Sequence, residues 1–163
     1  MLGRDTDFDW CTDVRIISRG CTPDLEYLTL KCRPFYMPRE FSSVTLTAGY
    51  IHPKANVVSA MNDFHEVINK YENSDTLSIV LGGFDQGNLR TVLPNFRHHV
   101  TCPTQGQILD HCYCSFKSAY KSVARANFGN SAHSTVLLIP SYKQELKRSK
   151  PVQFQTVSSS SRP

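Results

Sequence analysis

The stretch that decides the fold is Leu77-Ser78-Ile79-Val80-Leu81-Gly82-Gly83-Phe84-Asp85. Its apolar run is too short for an independent helix, and the β-branched pair at its centre favours a strand buried on both faces. Gly82 and Gly83 allow the backbone or a ligand to approach where a Cβ atom would not fit. Because Asp85 follows two residues after Gly83, the strand ends either at an ordinary glycine turn or at a rigidly held polar site.

The composition indicates a single globular domain. The chain has 163 residues, of which 40% are hydrophobic and 20% charged, and its net charge of +4 is a mild bias towards polyanions. It contains no apolar stretch as long as a membrane span, and its first residues lack the apolar run of a secretory signal. We therefore expect an intracellular protein, nuclear or cytoplasmic, with no membrane partner and with its six cysteines reduced.

On the N-terminal side of the central stretch, the pattern predicts three strands and a helix. The strands are expected over residues 14–17, 28–32 and 43–51, and the last two are expected to form an antiparallel pair with a long connection. An amphipathic helix is predicted from Val57, with Asn56 as its N-cap.

On the C-terminal side, the pattern predicts a helical turn followed by short strands. The turn is expected before Pro94, and the strands are expected over residues 98–102, 110–116, 120–124 and 135–139. Residues 120–124 are expected to pair with residues 110–116. The folded domain is predicted to span residues 1–146, and the basic, serine-rich residues 147–163 are predicted to be a disordered tail.

Three groups of residues are candidates for chemistry. A zinc cluster would use His98, His99, Cys102, His111, Cys112 and Cys114, but Cys112 and Cys114 are closer in sequence than the cysteine pairs of usual tetrahedral zinc sites. A cysteine–histidine nucleophilic pair is also conceivable, although the chain has no local signature for one. The third group consists of polar residues beside strand ends, which could converge at one edge of a sheet: Tyr50, Gly83-Phe84-Asp85, Asp110 and Ser131-Ala132-His133. A carboxylate beside a histidine orients the imidazole for acid–base chemistry.

Four motifs follow one another in a recognisable order, namely Tyr50-Ile51-His52-Pro53, Gly82-Gly83-Phe84-Asp85, Leu109-Asp110-His111 and Ser131-Ala132-His133. Their order and spacing resemble those of the endonuclease/exonuclease/phosphatase superfamily, particularly the endonuclease domain of non-LTR retrotransposons. The connecting segments 23–28, 32–36 and 38–41 are also similar to retrotransposon copies. The resemblance extends from about Trp10 to about Leu146.

This resemblance implies the C-terminal part of an α/β (α+β) sandwich, in which two mainly antiparallel sheets are flanked by helices and the N-terminal portion of the fold is missing. It implies an ancestral Mg²⁺-dependent hydrolysis of DNA phosphodiesters. By position, His133 would be the acid on the phosphate side, Asp110 would orient it, and Tyr50 would contact a phosphate. The family's Asn and metal-binding Glu belong to the first third of its domain, which this chain is expected to lack.

Three positions depart from the family pattern. Gly83 stands where the family has a water-activating Asp, Asp85 where it has a phosphate-binding Asn, and Ala132 where it has a metal-site Asp. A glycine cannot accept a proton, and a carboxylate offers a phosphate no amide donor. We therefore expect a catalytically inactive remnant of the endonuclease, a pseudoenzyme that binds no magnesium productively. Its expected partners are DNA, bound weakly and without specificity, and further copies of itself, bound through exposed sheet edges.

Two other interpretations remain open at the level of sequence. One is a binding module for nucleic acid or protein that retains the surface without the chemistry, and the other is a structural remnant without a function. Metal titration distinguishes an enzyme from both, and salt-dependent DNA binding distinguishes the two from each other.

Overall fold

The computed structural model describes residues 11–35, 37–84, 87–103, 108–130 and 134–142. Within these ranges the chain forms eight strands, one α-helix and one 3₁₀ turn. The same ranges contain no helix that is long and apolar enough to cross a membrane. The predicted tail, residues 147–163, lies outside them.

The strands belong to two sheets. They are β1 (Cys11–Cys21), β2 (Leu25–Pro34), β3 (Ser43–Ile51), β4 (Thr76–Gly83), β5 (Arg97–His98), β6 (Asp110–Cys114), β7 (Tyr120–Asn127) and β8 (Ser134–Pro140). The first six form one sheet in the order β1-β2-β3-β4-β6-β5, and β7 and β8 form a second. Every neighbouring pair is antiparallel except β3 and β4, which are parallel. The 3₁₀ turn (Leu89–Thr91) follows β4.

Helix α1 (Val57–Asn69) connects the parallel strands β3 and β4. It begins where the sequence predicts because the Asn56 side chain accepts a hydrogen bond from the Ser59 N–H at 3.3 Å. Its buried stripe consists of Ala60, Met61, Phe64 and Ile68. This stripe packs against Leu25, Ile51, Val80 and Tyr113 of the large sheet in a first hydrophobic cluster.

Strand β4 is buried on both faces, as its apolar run predicts. Val80 is 1% exposed and belongs to the first cluster, under α1. Leu77 and Ile79 belong to a second cluster on the opposite face, which also includes buried Cys112, Cys114 and Ala119. Val136 and Leu138 of β8 pack against this second cluster, so the small sheet and α1 cover opposite faces of the large sheet.

The predicted sandwich flanked by helices is only partly correct. Both sheets are mainly antiparallel, as expected, but the described residues contain a single α-helix, and the second sheet has two strands. The predicted pairing of residues 120–124 with residues 110–116 is wrong, because β4 and β5 already occupy the two edges of β6. The chain therefore continues past β6, and β7 pairs with β8 instead.

Two predicted strands have different lengths in the structure. The strand expected over residues 14–17 extends over the whole of β1, because β1 pairs with β2 along most of its length. The strand expected over residues 98–102 is reduced to β5, since the Thr101 N–H donates to the Ser122 hydroxyl at 3.0 Å instead of to a neighbouring strand.

The end of β4 depends on a close approach of two glycines. Gly82 has a φ of +155°, and a Cβ atom there would overlap the carbonyl oxygen of Gly49 on β3. At Gly83 the nearest atom to an added Cβ would be Tyr50 Cδ2, at 3.6 Å, which is an ordinary contact. The backbone therefore requires glycine at position 82 but tolerates a side chain at position 83.

We expect Gly82→Ala to lower the free energy of unfolding by at least about 2 kcal/mol, because the substitution combines an unfavourable φ with a backbone clash. The matched substitution Gly83→Ala should change it by no more than about 0.5 kcal/mol. Urea unfolding followed by circular dichroism measures both. Equal losses for the two variants would show that the Gly49 contact does not distinguish the two positions.

Candidate functional site

Three of the predicted site residues lie in one row across the large sheet. Tyr50 on β3 is the register partner of Gly83 on β4, and Gly83 is the register partner of Asp110 on β6. The structure therefore brings together three positions that are far apart in sequence. The remaining predicted site residues, Asp85, Ser131, Ala132 and His133, lie outside the described residues.

This row continues two apolar rows on the same face of the sheet. The first row is Leu46, Ile79 and Cys114, and the second is Ala48, Leu81 and Cys112. Side chains alternate between faces along a strand, so residues two apart share a face. Burial falls along this series, from 9% exposure at Ile79 to 45% at Tyr50. The face thus becomes more exposed towards the polar row, and on β3 Ala48 of the second row is already exposed.

The side chains in and beside the row can bind and orient a ligand. The Tyr50 ring meets the His52 ring edge to face, with the ring centroids 5.0 Å apart. His52 Nε2 lies 3.5 Å from a carboxylate oxygen of Glu26. The phenol can donate a hydrogen bond to a phosphate oxygen, and the Asp110 carboxylate can accept one from an imidazole. Between them, Gly83 contributes no functional group.

The described part of the site does not fit a magnesium ion on its own. Mg²⁺ prefers an octahedral set of oxygen ligands, usually with one or two carboxylates. The row supplies the carboxylate of Asp110 and, at Gly83, no side-chain ligand. In the described ranges, no group of three or more His, Cys, Asp or Glu side chains is arranged to hold a metal ion.

On the opposite face, an aromatic cluster anchors the end of β4. Phe84 is fully buried, and its ring stacks on His111 with the centroids 5.4 Å apart. It also meets Phe64 of α1 at 5.6 Å. The Phe84 N–H donates to the Leu109 carbonyl at 3.4 Å, which ties the strand end to the residue before Asp110. By sequence Phe84 is part of the Gly-Gly-Phe-Asp motif, and in the structure its side chain is a packing anchor.

His98 and His111, which the sequence offers as zinc ligands, form a hydrogen-bonded pair. His111 Nδ1 lies 3.1 Å from His98 Nε2. Burial lowers the pKa of His98 to about 4, with smaller contributions from His111, Arg90 and His99. Burial also lowers the pKa of His111, against the opposing effect of Asp110. Both imidazoles are therefore neutral at pH 7, and one donates the hydrogen that the other accepts.

The large sheet separates the members of the proposed zinc cluster. His98 and His111 pack with Tyr113 of the first cluster. Cys112 and Cys114 are buried in the second cluster, on the opposite face. Cys102 also packs against the second cluster, and His99 Nδ1 lies 3.0 Å from the Tyr120 carbonyl oxygen. The six residues therefore do not surround one ion, and the zinc hypothesis is wrong because no group of three or more such side chains in the described ranges is arranged to hold a metal. Nothing in the local sequence indicates the histidine pair that the fold forms instead.

The buried cysteines are poor nucleophiles. Burial raises the pKa of Cys112 to about 12 and that of Cys114 to about 11. Burial, together with neighbouring Cys11, raises the pKa of Cys32 to about 11. Because the thiolate is the reactive species, these three side chains are inert at neutral pH. All six cysteines are free thiols.

The fold of the chain is similar to a solved structure, the endonuclease domain of TRAS1, a telomere-specific non-LTR retrotransposon. The TM-score is 0.56 at 14% sequence identity, and the alignment covers 77% of this chain and 65% of the TRAS1 chain. The chain thus spans less than two thirds of the length of that domain. No family model and no curated protein matches the sequence. At this level of identity, the likeness shows that the aligned part of the chain shares the fold of that endonuclease domain.

We expect the histidine pair to make stability fall on acidification. The pKa of His98 is about 4 in the folded chain against 6.5 without burial, so the unfolded chain takes up the proton first. The contribution of the neutral pair is complete above about pH 6.5 and is lost as the pH falls towards about 4.

The substitution His98→Gln removes this titration and keeps a hydrogen-bonding group. Its urea midpoint should therefore fall less than that of the wild type between about pH 7 and about pH 4.5. His65→Gln, on α1 and away from the pair, is the matched control and should follow the wild type. If His98→Gln retains the full pH dependence, the pair is not its source.

Proposed function

We propose that this chain is a non-catalytic derivative of a Mg²⁺-dependent retrotransposon DNA endonuclease, from the endonuclease/exonuclease/phosphatase superfamily. The observation that carries the proposal is the polar row, in which Gly83 lies between Tyr50 and Asp110. By the family resemblance, position 83 is where the water-activating carboxylate belongs. The similarity of the fold to the TRAS1 domain supports the ancestry.

The chemistry of phosphodiester hydrolysis explains why the substitutions matter. The reaction needs an activated water, a cation to offset the phosphate charge, and donors aimed at the transition state. Loss of a general base such as the one missing at Gly83 costs about 10²–10⁴-fold in rate. Ala132 removes a second carboxylate, and Asp85 places a negative charge where an amide would bind phosphate. His133, Asp110 and Tyr50 remain, as the groups that would contact or orient the phosphate.

Position 83 has room for the missing group. Besides Tyr50 Cδ2, the atoms nearest to an added Cβ are Tyr50 Cε2 at 3.9 Å and the Leu109 carbonyl oxygen at 4.0 Å. A carboxylate introduced there would lie between the phenol and Asp110. The proposed loss is therefore chemical and not steric, and it can be tested by restoring side chains.

We expect the wild-type chain to leave supercoiled plasmid intact in the presence of Mg²⁺ or Mn²⁺, at the level of a protein-free control. The single variant Gly83→Asp should be equally inactive, because residues that act as one catalytic unit are not restored one at a time. Agarose gel electrophoresis of the plasmid measures nicking.

The triple variant Gly83→Asp, Asp85→Asn, Ala132→Asp should also remain inactive, because none of the four motifs supplies the metal-binding Glu of the family. Nicking by the triple variant alone would assign the loss of activity to these three positions. Nicking by the wild type, abolished by a chelator and reduced by His133→Ala, would contradict the proposal.

A non-catalytic nucleic-acid-binding module is the second candidate, and the positions of the cations favour it. Arg15 on β1 is the register partner of Lys31 on β2, and Arg33 follows two residues later on the same side of β2. All three are exposed. Asp13 offsets part of this charge, because its carboxylate lies 2.7 Å from Arg15 Nε. A small basic patch of this kind binds phosphates without selecting bases.

We expect weak, sequence-independent binding of a labelled DNA duplex that falls steeply with salt, measured by fluorescence anisotropy. Lys31→Gln should reduce the magnitude of the slope of log K against log salt by about 1, which is the contribution of one phosphate contact. Lys121→Gln, on the small sheet, removes the same charge and should leave the slope unchanged. Binding that persists at high salt, or that prefers one sequence, would exclude this mode.

A further inference from the structure

Four strands have an edge without a partner among the described residues, namely β1, β5, β7 and β8. An unpaired edge presents N–H and C=O groups that can pair with another chain, unless a charge, a bulge or short length protects it. Charges, bulges or short length protect three of these edges, and the fourth, on β8, is the candidate interaction surface.

Three of the four edges carry such protection. Strand β1 has a positive φ at Asp13 and two register shifts, and it carries exposed Arg15 and Arg19. Strand β5 has two residues. Strand β7 carries exposed Lys121 and Arg125, with a register shift after Arg125.

Strand β8 has none of these features. Its sequence is Ser134-Thr135-Val136-Leu137-Leu138-Ile139-Pro140, with no charged residue and with its proline at the last position. A short, uncharged and β-prone segment of this kind pairs readily with another strand. Val136 and Leu138 pack inward, whereas Leu137 and Ile139 are 42% and 43% exposed on the outer face. The strand is also half of a two-stranded sheet, so its outer edge has no neighbouring strand among the described residues.

We propose that two copies of this chain form a twofold-symmetric dimer, in which their β8 strands pair antiparallel along the outer edge. The product is a four-stranded sheet with β7 on each side. A second copy suits this edge because β8 is neutral, so that two β8 strands meet without charge repulsion. Two β7 strands would instead bring Lys121 and Arg125 of both copies together.

A symmetry axis through Leu137, the middle residue of β8, pairs every residue of the strand. Leu137 then lies opposite Leu137 of the second copy, and Val136 lies opposite Leu138. Thr135 lies opposite Ile139. The inner pairs extend the apolar layer over the second cluster, and the outer pairs cover Leu137 and Ile139. The interface is isologous and closed, so association stops at two copies.

The test is sedimentation equilibrium of the full chain from about 1 to about 100 µM, with reductant present because Cys21 is exposed. We expect the mass of the wild type to rise to that of a dimer. Leu137→Lys places like charges directly across the axis and should weaken dimerisation at least about tenfold. Mixing Leu137→Lys with Leu137→Glu should restore a dimer of one copy of each, which a misfolded variant would not do.

The control is Ile16→Lys, which adds the same charge at an exposed position on β1, the rival edge, and should dimerise like the wild type. Hydrogen exchange at the β8 amides should slow as the wild-type concentration rises. The proposal is overturned by a wild type that remains monomeric at the highest concentration or that forms open-ended aggregates. It is also overturned if Ile16→Lys abolishes association or if the two Leu137 variants do not recombine.

Discussion

Strand β4 lies between α1 on one face and the β7–β8 sheet on the other, and both hydrophobic clusters include its side chains. This two-sided burial holds the strand in the middle of the large sheet, between β3 and β6. Gly82 lets β4 approach the Gly49 carbonyl closely, and Phe84 fixes the strand end from the α1 side. The strand is fixed at Gly82 and its end is fixed at Phe84. Gly83, the residue between these two, is therefore held between its register partners Tyr50 and Asp110.

The scaffold and the chemistry of the site are separable in this fold. Packing keeps position 82 as glycine, whereas position 83 opens towards solvent and makes only ordinary contacts. Loss of a carboxylate at position 83 therefore costs the fold little and removes a group that hydrolysis would need. A domain can in this way keep an endonuclease architecture while it carries the residues of a pseudoenzyme, which is the function proposed for this chain.

The same topology explains the surface proposed for self-association. Strand β6 has β4 on one edge and β5 on the other, so the chain after it cannot join the large sheet there. Strands β7 and β8 form their own small sheet, whose inner side covers the second cluster. Its outer edge on β8 has neither the charges nor the bulges that protect β1 and β7.

The sequence by itself determined the elements whose signals are local. The Asn56 cap, the stripe of α1 and the buried run of β4 depend on residues within a few positions of one another, and the structure contains each of them. Strands β2 and β3 also form where the alternation predicts them, but the expected single buried face is wrong, because Thr29, Thr45 and Thr47 on the polar side are buried as well. The motifs also indicated three residues that the structure places in one row. The roles of Asp85, Ala132 and His133 remain predictions, since these residues lie outside the described ranges.

Only the tertiary structure decided which strand pairs with β7, that His98 bonds to His111 and that Gly82 and Gly83 are not equivalent. Each of these features depends on which edge or face is already occupied by a segment distant in sequence. Periodicity and capping contain no such information, because they describe one segment at a time.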